Sequence, residues 1–210
     1  MEITYLVNPL GAVDIELDSA DFLAKYQPEV LRGNTLHLDV FKLLDDIYED
    51  KGTCLQLVDD NSIPKGILGV SEMDFNIIKI RKSDYERCET EGFYRMTITH
   101  EVGHPRLHLE QFRKNGMNMY RTQTNKIPPY RSSEWQARVW ASATLMPVPA
   151  MVRLLKRRDF KTEEDIEKAI MERFVVSHVA AHSRFKTIER YCKDGRYQKL
   201  KNAMKEKSLM

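Results

Sequence analysis

Cysteine is scarce here and carries no pattern: Cys54, Cys88 and Cys192 are scattered, odd in number and never spaced as Cys-x-x-Cys. That excludes a disulfide framework and a thiolate zinc site, and it fits a reducing compartment. Long apolar runs are also missing. No stretch approaches the roughly 20 residues needed to span a bilayer. The start, Met1-Glu2-Ile3-Thr4-Tyr5, lacks the basic and apolar regions of a signal peptide. The expectation is a soluble, cytoplasmic protein with no membrane partner. Internal repeats and low-complexity segments are absent as well. Charge of one sign does not dominate, since the net charge is only +2. Its distribution is uneven, however. Residues 151–210 hold 16 Lys and Arg against 9 Asp and Glu, so the first 150 residues are acidic on balance. A basic tail region suits nucleic acid or an acidic partner, and more often marks a solvated helix surface.

What is present is enough apolar sequence, 42% of the 210 residues, for a sizeable core. Residues 1–34 read as an N-terminal extension broken by Pro9-Leu10-Gly11 and Arg32-Gly33-Asn34. Leu36, Val40, Leu43, Leu44 and Ile47 recur at helical spacing and predict an amphipathic helix to about Asp50. Three β-like runs follow, Thr53–Val58, Gly66–Val70 and Phe75–Ile80, with turn residues that predict an antiparallel meander. Ser83 and Thr90 are helix-start signals, and a helix is expected from Glu91 to about Asn115-Gly116. After a polar loop at 117–131, Ser133-x-x-Gln136 predicts a cap for a helix from Glu134 to Leu145, stopped by Met146-Pro147. The remainder, 151–210, reads as helical, with caps at Thr162 and Ser177.

The chemistry concentrates at His100-Glu101-Val102-Gly103-His104. A repeat of 3.6 residues puts His100 and His104 on one helix face, one turn apart, where two imidazoles can reach one Zn²⁺. Glu101 lies about 100° around the helix. It can serve as general base towards a water at the metal without taking a coordination place. His100 and His104 share their stripe with Phe93, Met96 and Leu107, so they should face the interior or a cleft. Gly103, between them, would let a neighbouring segment approach closely.

A catalytic zinc site takes a third protein ligand and keeps an open position. Three sources compete on residue type and spacing. His108 follows His104 by four residues, but Pro105 is expected to kink or end the helix between them. His178 and His182 form a second i, i+4 pair, without a following Glu. Glu134 opens the next helix on a face shared with the small residues Ala137 and Ala141, which can press close and deliver a carboxylate.

Three blocks, in this order, resemble the ImmA/IrrE metallopeptidases. They are Thr97-Ile98-Thr99-His100-Glu101-Val102-Gly103-His104, the run Glu134 to Pro147 with Ala137, Trp140, Ala141 and Met146-Pro147 in register, and Arg173-Phe174-Val175-Val176-Ser177 through Arg184. The resemblance spans roughly residues 35–190. It implies an α+β fold: a zincin-like metallopeptidase core over 35–150, with a small antiparallel sheet and an active-site helix, followed by a helical C-terminal region over 151–210. It implies one Zn²⁺ held by His100, His104 and Glu134, with Glu101 as base. It also implies a protein substrate, of which helix-turn-helix repressors of phage or mobile elements are the type. The pattern departs from the family at Pro105-Arg106 and at Thr144.

The reaction so implied is peptide-bond hydrolysis, and its developing oxyanion needs a second donor. His108, Tyr120, Tyr130 and Arg131 are the candidates. Phe75–Ile80 could be an edge strand that pairs with an extended substrate, or an interior strand. The stretch 162–191 reads as helix, turn, helix. With its positive charge it could read DNA, but no set of base-reading residues stands out, and packing on the catalytic part is the favoured expectation. Two competing functions follow: a zinc-containing regulator that binds DNA or a protein without proteolysis, and a structural zinc fold with a fourth protein ligand.

Overall fold

The computed structural model describes residues 3–32, 37–64, 67–72, 76–115, 121–156 and 159–209. In chain order the elements are β1 (Ile3–Tyr5), α1 (Ala12–Tyr26), α2 (Pro28–Arg32), α3 (Val40–Lys51), β2 (Cys54–Val58), β3 (Gly69–Glu72), β4 (Ile77–Arg81), α4 (Lys82–Tyr85), α5 (Gly92–Asn115), β5 (Arg121–Gln123), α6 (Ser133–Leu145), α7 (Val148–Leu155), α8 (Glu163–Phe174), α9 (His178–Lys193) and α10 (Arg196–Glu206). This is an α+β fold of the expected class. No helix among the described residues is long and apolar enough to cross a membrane.

Local chemistry accounts for the helix ends. Asp39 caps α3 by accepting from the backbone N–H groups of Phe41 and Lys42 at 3.0 and 2.9 Å, and Gly52 closes it in the left-handed conformation, φ +69°. The apolar stripe Val40, Leu43, Leu44 and Ile47 is buried as its spacing requires; Leu36, Gly33 and Asn34 lie outside the described residues. Thr162 and Ser177 cap α8 and α9 as expected, the first as a capping box with Asp165. The cap of α6 is Ser132, one residue before the expected Ser133. Ser133 is diverted because its hydroxyl is engaged by β1, accepting from the Tyr5 N–H at 3.1 Å and bonding Thr4 Oγ1 at 3.1 Å.

The sheet differs from a simple meander. Its order is β2-β4-β3: β3 and β4 form the expected antiparallel pair, while β2 lies on the far side of β4 and runs parallel to it. The strand read at Phe75–Ile80 is therefore β4, in the interior of the sheet, and its first residue, Phe75, lies outside the described residues. Among the described residues β3 is an edge strand, and it lies against α5.

The N-terminal segment packs into the same core as the rest. β1 pairs antiparallel with β5, and α1 lies on α6. Phe22 meets Trp140 edge-on at 5.5 Å, the Trp140 indole N–H donates to Asp18 at 2.9 Å, and Ser19 bonds Thr144 at 2.9 Å. Thr144, the departure from the family's aliphatic position, thus has a hydroxyl partner on α1. Farther along, the Arg184 guanidinium of α9 bonds both carboxylate oxygens of Glu16 on α1 and the Met146 carbonyl at 2.9 Å, all of it buried. One hydrophobic cluster draws on residues before 35, between 35 and 150, and beyond 150. Ile170, Phe174, Ala181, Phe185 and Ile188 place α8 and α9 in it, so the helical pair packs on the rest of the chain.

Candidate metal centre

The site rests on two helices held unusually close. Gly103 of α5 faces Ala137 of α6; a Cβ on Gly103 would meet the Ala137 Cα and carbonyl oxygen at 3.2 Å. Glycine here removes the side chain that would separate the helices. At its start α5 is equally tight: a Cβ on Gly92 would lie 2.3 Å from the Val176 backbone, in the turn between α8 and α9. Arg106 anchors the other side of α5, donating to Asp18 of α1 at 2.9 and 2.8 Å and to Asp50 of α3 at 2.7 Å. Burial lowers its pKa, but the two carboxylates outweigh burial and raise it.

Pro105 does not end this helix. α5 runs unbroken from Gly92 to Asn115 with Pro105 inside; Gly116, the expected cap, lies outside the described residues. Proline has no N–H, so the carbonyl of Glu101, four residues back, loses its helical donor. The Ser71 hydroxyl of β3 takes that place, donating to the Glu101 carbonyl at 2.7 Å.

On the opposed faces of α5 and α6, three ligand side chains converge. His100 Nε2 lies 3.1 Å from Glu134 Oε2, His104 Nε2 lies 3.4 Å from Glu134 Oε1, and the two Nε2 atoms are 3.2 Å apart. Four donors about 2.05 Å from a tetrahedral zinc are about 3.3 Å from one another; each contact in this triangle of side chains is near that spacing, although the two histidines meet different Glu134 oxygens. Two imidazole nitrogens turned towards each other and a carboxylate suit a cation between them, and the group can hold a metal ion. Burial raises the Glu134 carboxyl, but hydrogen bonds with His100 and His104 outweigh it and hold the group well below the usual carboxylate range. Burial lowers His104, and Glu134 more than compensates.

The triangle lies in a groove of about 670 Å³. Residues Ile67 to Ser71 form one wall, Phe93 and Met96 sit beside it, and Tyr5, Val7 and Phe112 close the other end. Phe93 and Ile67 are 60% and 45% exposed, so the stripe, expected to face the interior or a cleft, faces a cleft with an open apolar rim. Glu101 also lines the groove, next to the triangle.

The remaining expected residues are placed differently. His108 is buried in the lining of the groove, and its hydrogen bonding is fixed. The Gln136 amide NH₂ donates to the Asn8 and Tyr130 carbonyls at 2.8 and 2.7 Å, so its oxygen must accept from His108 Nε2 at 3.1 Å. Burial pushes the His108 imidazole down to about 3, which keeps it neutral with its one N–H committed. Tyr120 lies outside the described residues. Tyr130 and Arg131 do not line the groove; their carbonyls accept from Leu10 and Val7 instead. His178 and His182 bond the two oxygens of Glu167 on α8, away from this site. Arg138, one turn beyond Glu134 and on the same face of α6, lines the groove and was readable from that spacing. Ser71 and Gly69 had no signal in the motif, because only the sheet order brings β3 to α5.

Residues 85–186 match the model of the IrrE N-terminal-like domain, a peptidase family. Over that stretch the chain is similar to the ImmA/IrrE family. No curated protein matches it. The ImmA/IrrE match holds His100, Glu101, His104 and Glu134 together with Arg184, whose side chain reaches Glu16 outside it. It leaves out β2, β3 and β4, so Ser71 is no part of the matched ImmA/IrrE segment.

Proposed function

We propose that this chain is a zinc-dependent, site-specific peptidase acting inside the cell on an extended segment of a protein substrate, of which a helix-turn-helix repressor of a phage or mobile element is the type. The observation that carries this reading is the donor triangle of His100, His104 and Glu134 with Glu101 beside it in an open groove. Those three residues would hold the ion and leave its remaining position towards the groove. Zinc bound there supplies Lewis acidity towards the scissile carbonyl and the attacking water.

The protein's own groups do the rest. Glu101 accepts a proton from the attacking water and delivers it to the leaving amine. The free edge of β3 offers backbone donors and acceptors to an extended chain, which would hold the scissile bond across the groove. Apolar side chains of the substrate find Phe93 and Ile67 at one end, and Tyr5, Val7 and Phe112 at the other. Arg138 brings a positive charge to the groove wall, suited to a substrate carbonyl or carboxylate.

The test is incubation of the purified, metal-analysed protein with helix-turn-helix repressors drawn from its own genome, in parallel with Glu101→Gln. One zinc per chain and cleavage abolished in the variant are expected. Cleavage unchanged by Glu101→Gln, or a protein that takes up no metal, would sink the reading.

A further inference from the structure

Glu101 is held by β3 at both its main chain and its side chain. The Ser71 hydroxyl lies 2.7 Å from the Glu101 carbonyl oxygen and 2.8 Å from its Oε2. Two residues earlier on the same strand, a Cβ on Gly69 would stand 2.9 Å from the Glu101 Cγ, so the strand backbone lies directly against the glutamate stem. Among the described residues Oε1 has no hydrogen-bond partner, and Glu101 lines the groove. Ser71 therefore grips one carboxylate oxygen and leaves the other for the groove.

Pro105 makes this grip possible. In an uninterrupted helix the N–H of residue 105 would occupy the Glu101 carbonyl. Its absence opens an acceptor on the backbone of the residue whose side chain must be aimed. A serine hydroxyl has one proton and both oxygens are acceptors, so it reaches the two as a three-centre hydrogen bond shared between the Glu101 carbonyl and Oε2. The torsions of a long, flexible carboxylate are then fixed from outside its own helix.

We propose that Ser71 is a positioning residue for Glu101, with Pro105 supplying its second anchor. This rests on the reading of Glu101 as general base given above. Neither Ser71 nor β3 belongs to the segment that matches the ImmA/IrrE model.

Acetohydroxamic acid tests it without a known substrate. A hydroxamic acid chelates a metal through two oxygens and passes its acidic proton to a neighbouring base, so its affinity depends on where that carboxylate is held. Binding would be titrated on cobalt(II)-loaded wild type, Ser71→Ala, Ser71→Thr and Glu101→Gln, with the cobalt absorption spectrum reporting the ligand triangle separately. The expected result is one equivalent of cobalt and a wild-type spectrum throughout, about tenfold weaker hydroxamate binding in Ser71→Ala, as for one hydrogen bond to a charged group, and recovery in Ser71→Thr. Should Ser71→Ala not fold, Ser71→Cys, which keeps the shape and loses a strong donor, is expected to behave likewise. Wild-type affinity in Ser71→Ala alongside weakened binding in Glu101→Gln overturns the role of Ser71 and leaves the base intact. Wild-type affinity in Glu101→Gln, or no cobalt uptake by the wild type, removes the proposed function itself and the role of Ser71 with it.

Discussion

Gly103 and Ala137 touch so closely that the distance between α5 and α6 is set at this pair, with Trp140 beside it at 3.3 Å from the added Cβ. His100 and His104 flank Gly103 on one side of the contact, and Glu134 lies one turn before Ala137 on the other. The small pair is thus what lets a carboxylate from a second helix arrive within 3.1 to 3.4 Å of two imidazoles.

Gly103→Ala should separate stability from metal affinity. Alanine gains about 1 kcal/mol of helix propensity over glycine, while its Cβ forces the helices apart by a few tenths of an ångström. Thermal unfolding in a chelator is expected to change little, and zinc affinity in a competition titration is expected to fall about tenfold. Gly103→Val should lose both. Unchanged zinc affinity in Gly103→Ala would mean that the helix spacing does not set the ligand geometry.

Metal removal should be visible in stability. A ligand that binds the folded state at 1,000 times its Kd adds about 4 kcal/mol, so zinc should raise the melting temperature of the wild type above its value in chelator. In Glu134→Ala and His104→Ala this difference is expected to collapse. A full zinc-induced shift in Glu134→Ala would show that the third ligand comes from elsewhere.

The buried Arg184–Glu16 pair should behave asymmetrically. Removing one partner strands an unpaired charge, and Arg184→Ala is expected to cost about 3–5 kcal/mol in denaturant unfolding. Arg184→Met combined with Glu16→Leu should recover much of that, because the stranded charge is gone. A double variant as unstable as the single would assign the loss to packing and to the Met146 carbonyl instead.

Why was so much of the site legible and so little of its frame? The motif helix and Glu134 were readable because their spacing is local. A helix repeat places His100 and His104 together, and two alanines on the Glu134 face announce a close contact. α1 was not readable, since its buried face includes Glu16 and Ser19, which interrupt the apolar period. Their partners, Arg184 and Thr144, are 168 and 125 residues away in sequence. The meander was misjudged for the same reason: β2 comes just before β3 in sequence and still pairs with β4, the strand after it. Pro105 read as a break because the rescue of its orphaned carbonyl comes from Ser71, on another element. In each case the missing information was the identity of a distant partner for a polar group.

The last prediction concerns pH and lies away from the metal centre. Glu167 on α8 joins His182 and His178 of α9 at 2.6 and 2.9 Å, clasping the two helices. The hydrogen bond with His182 is the largest cause of a carboxyl held below its usual 4.5, with burial opposing and His178 adding to it. A carboxylate whose pKa is lower in the folded state contributes stability above its unfolded value, and that contribution is lost as pH falls through the folded value. The melting temperature of the wild type should therefore exceed that of Glu167→Gln at pH 6, and the gap should close progressively below about pH 4.5. The neighbouring Lys186–Glu163 pair is present in both proteins and cancels in the difference. Circular dichroism melts from pH 7 to pH 3 measure the gap directly; a gap that stays constant over that range would show that the clasp holds by packing or by neutral hydrogen bonds, not by the ionised carboxylate.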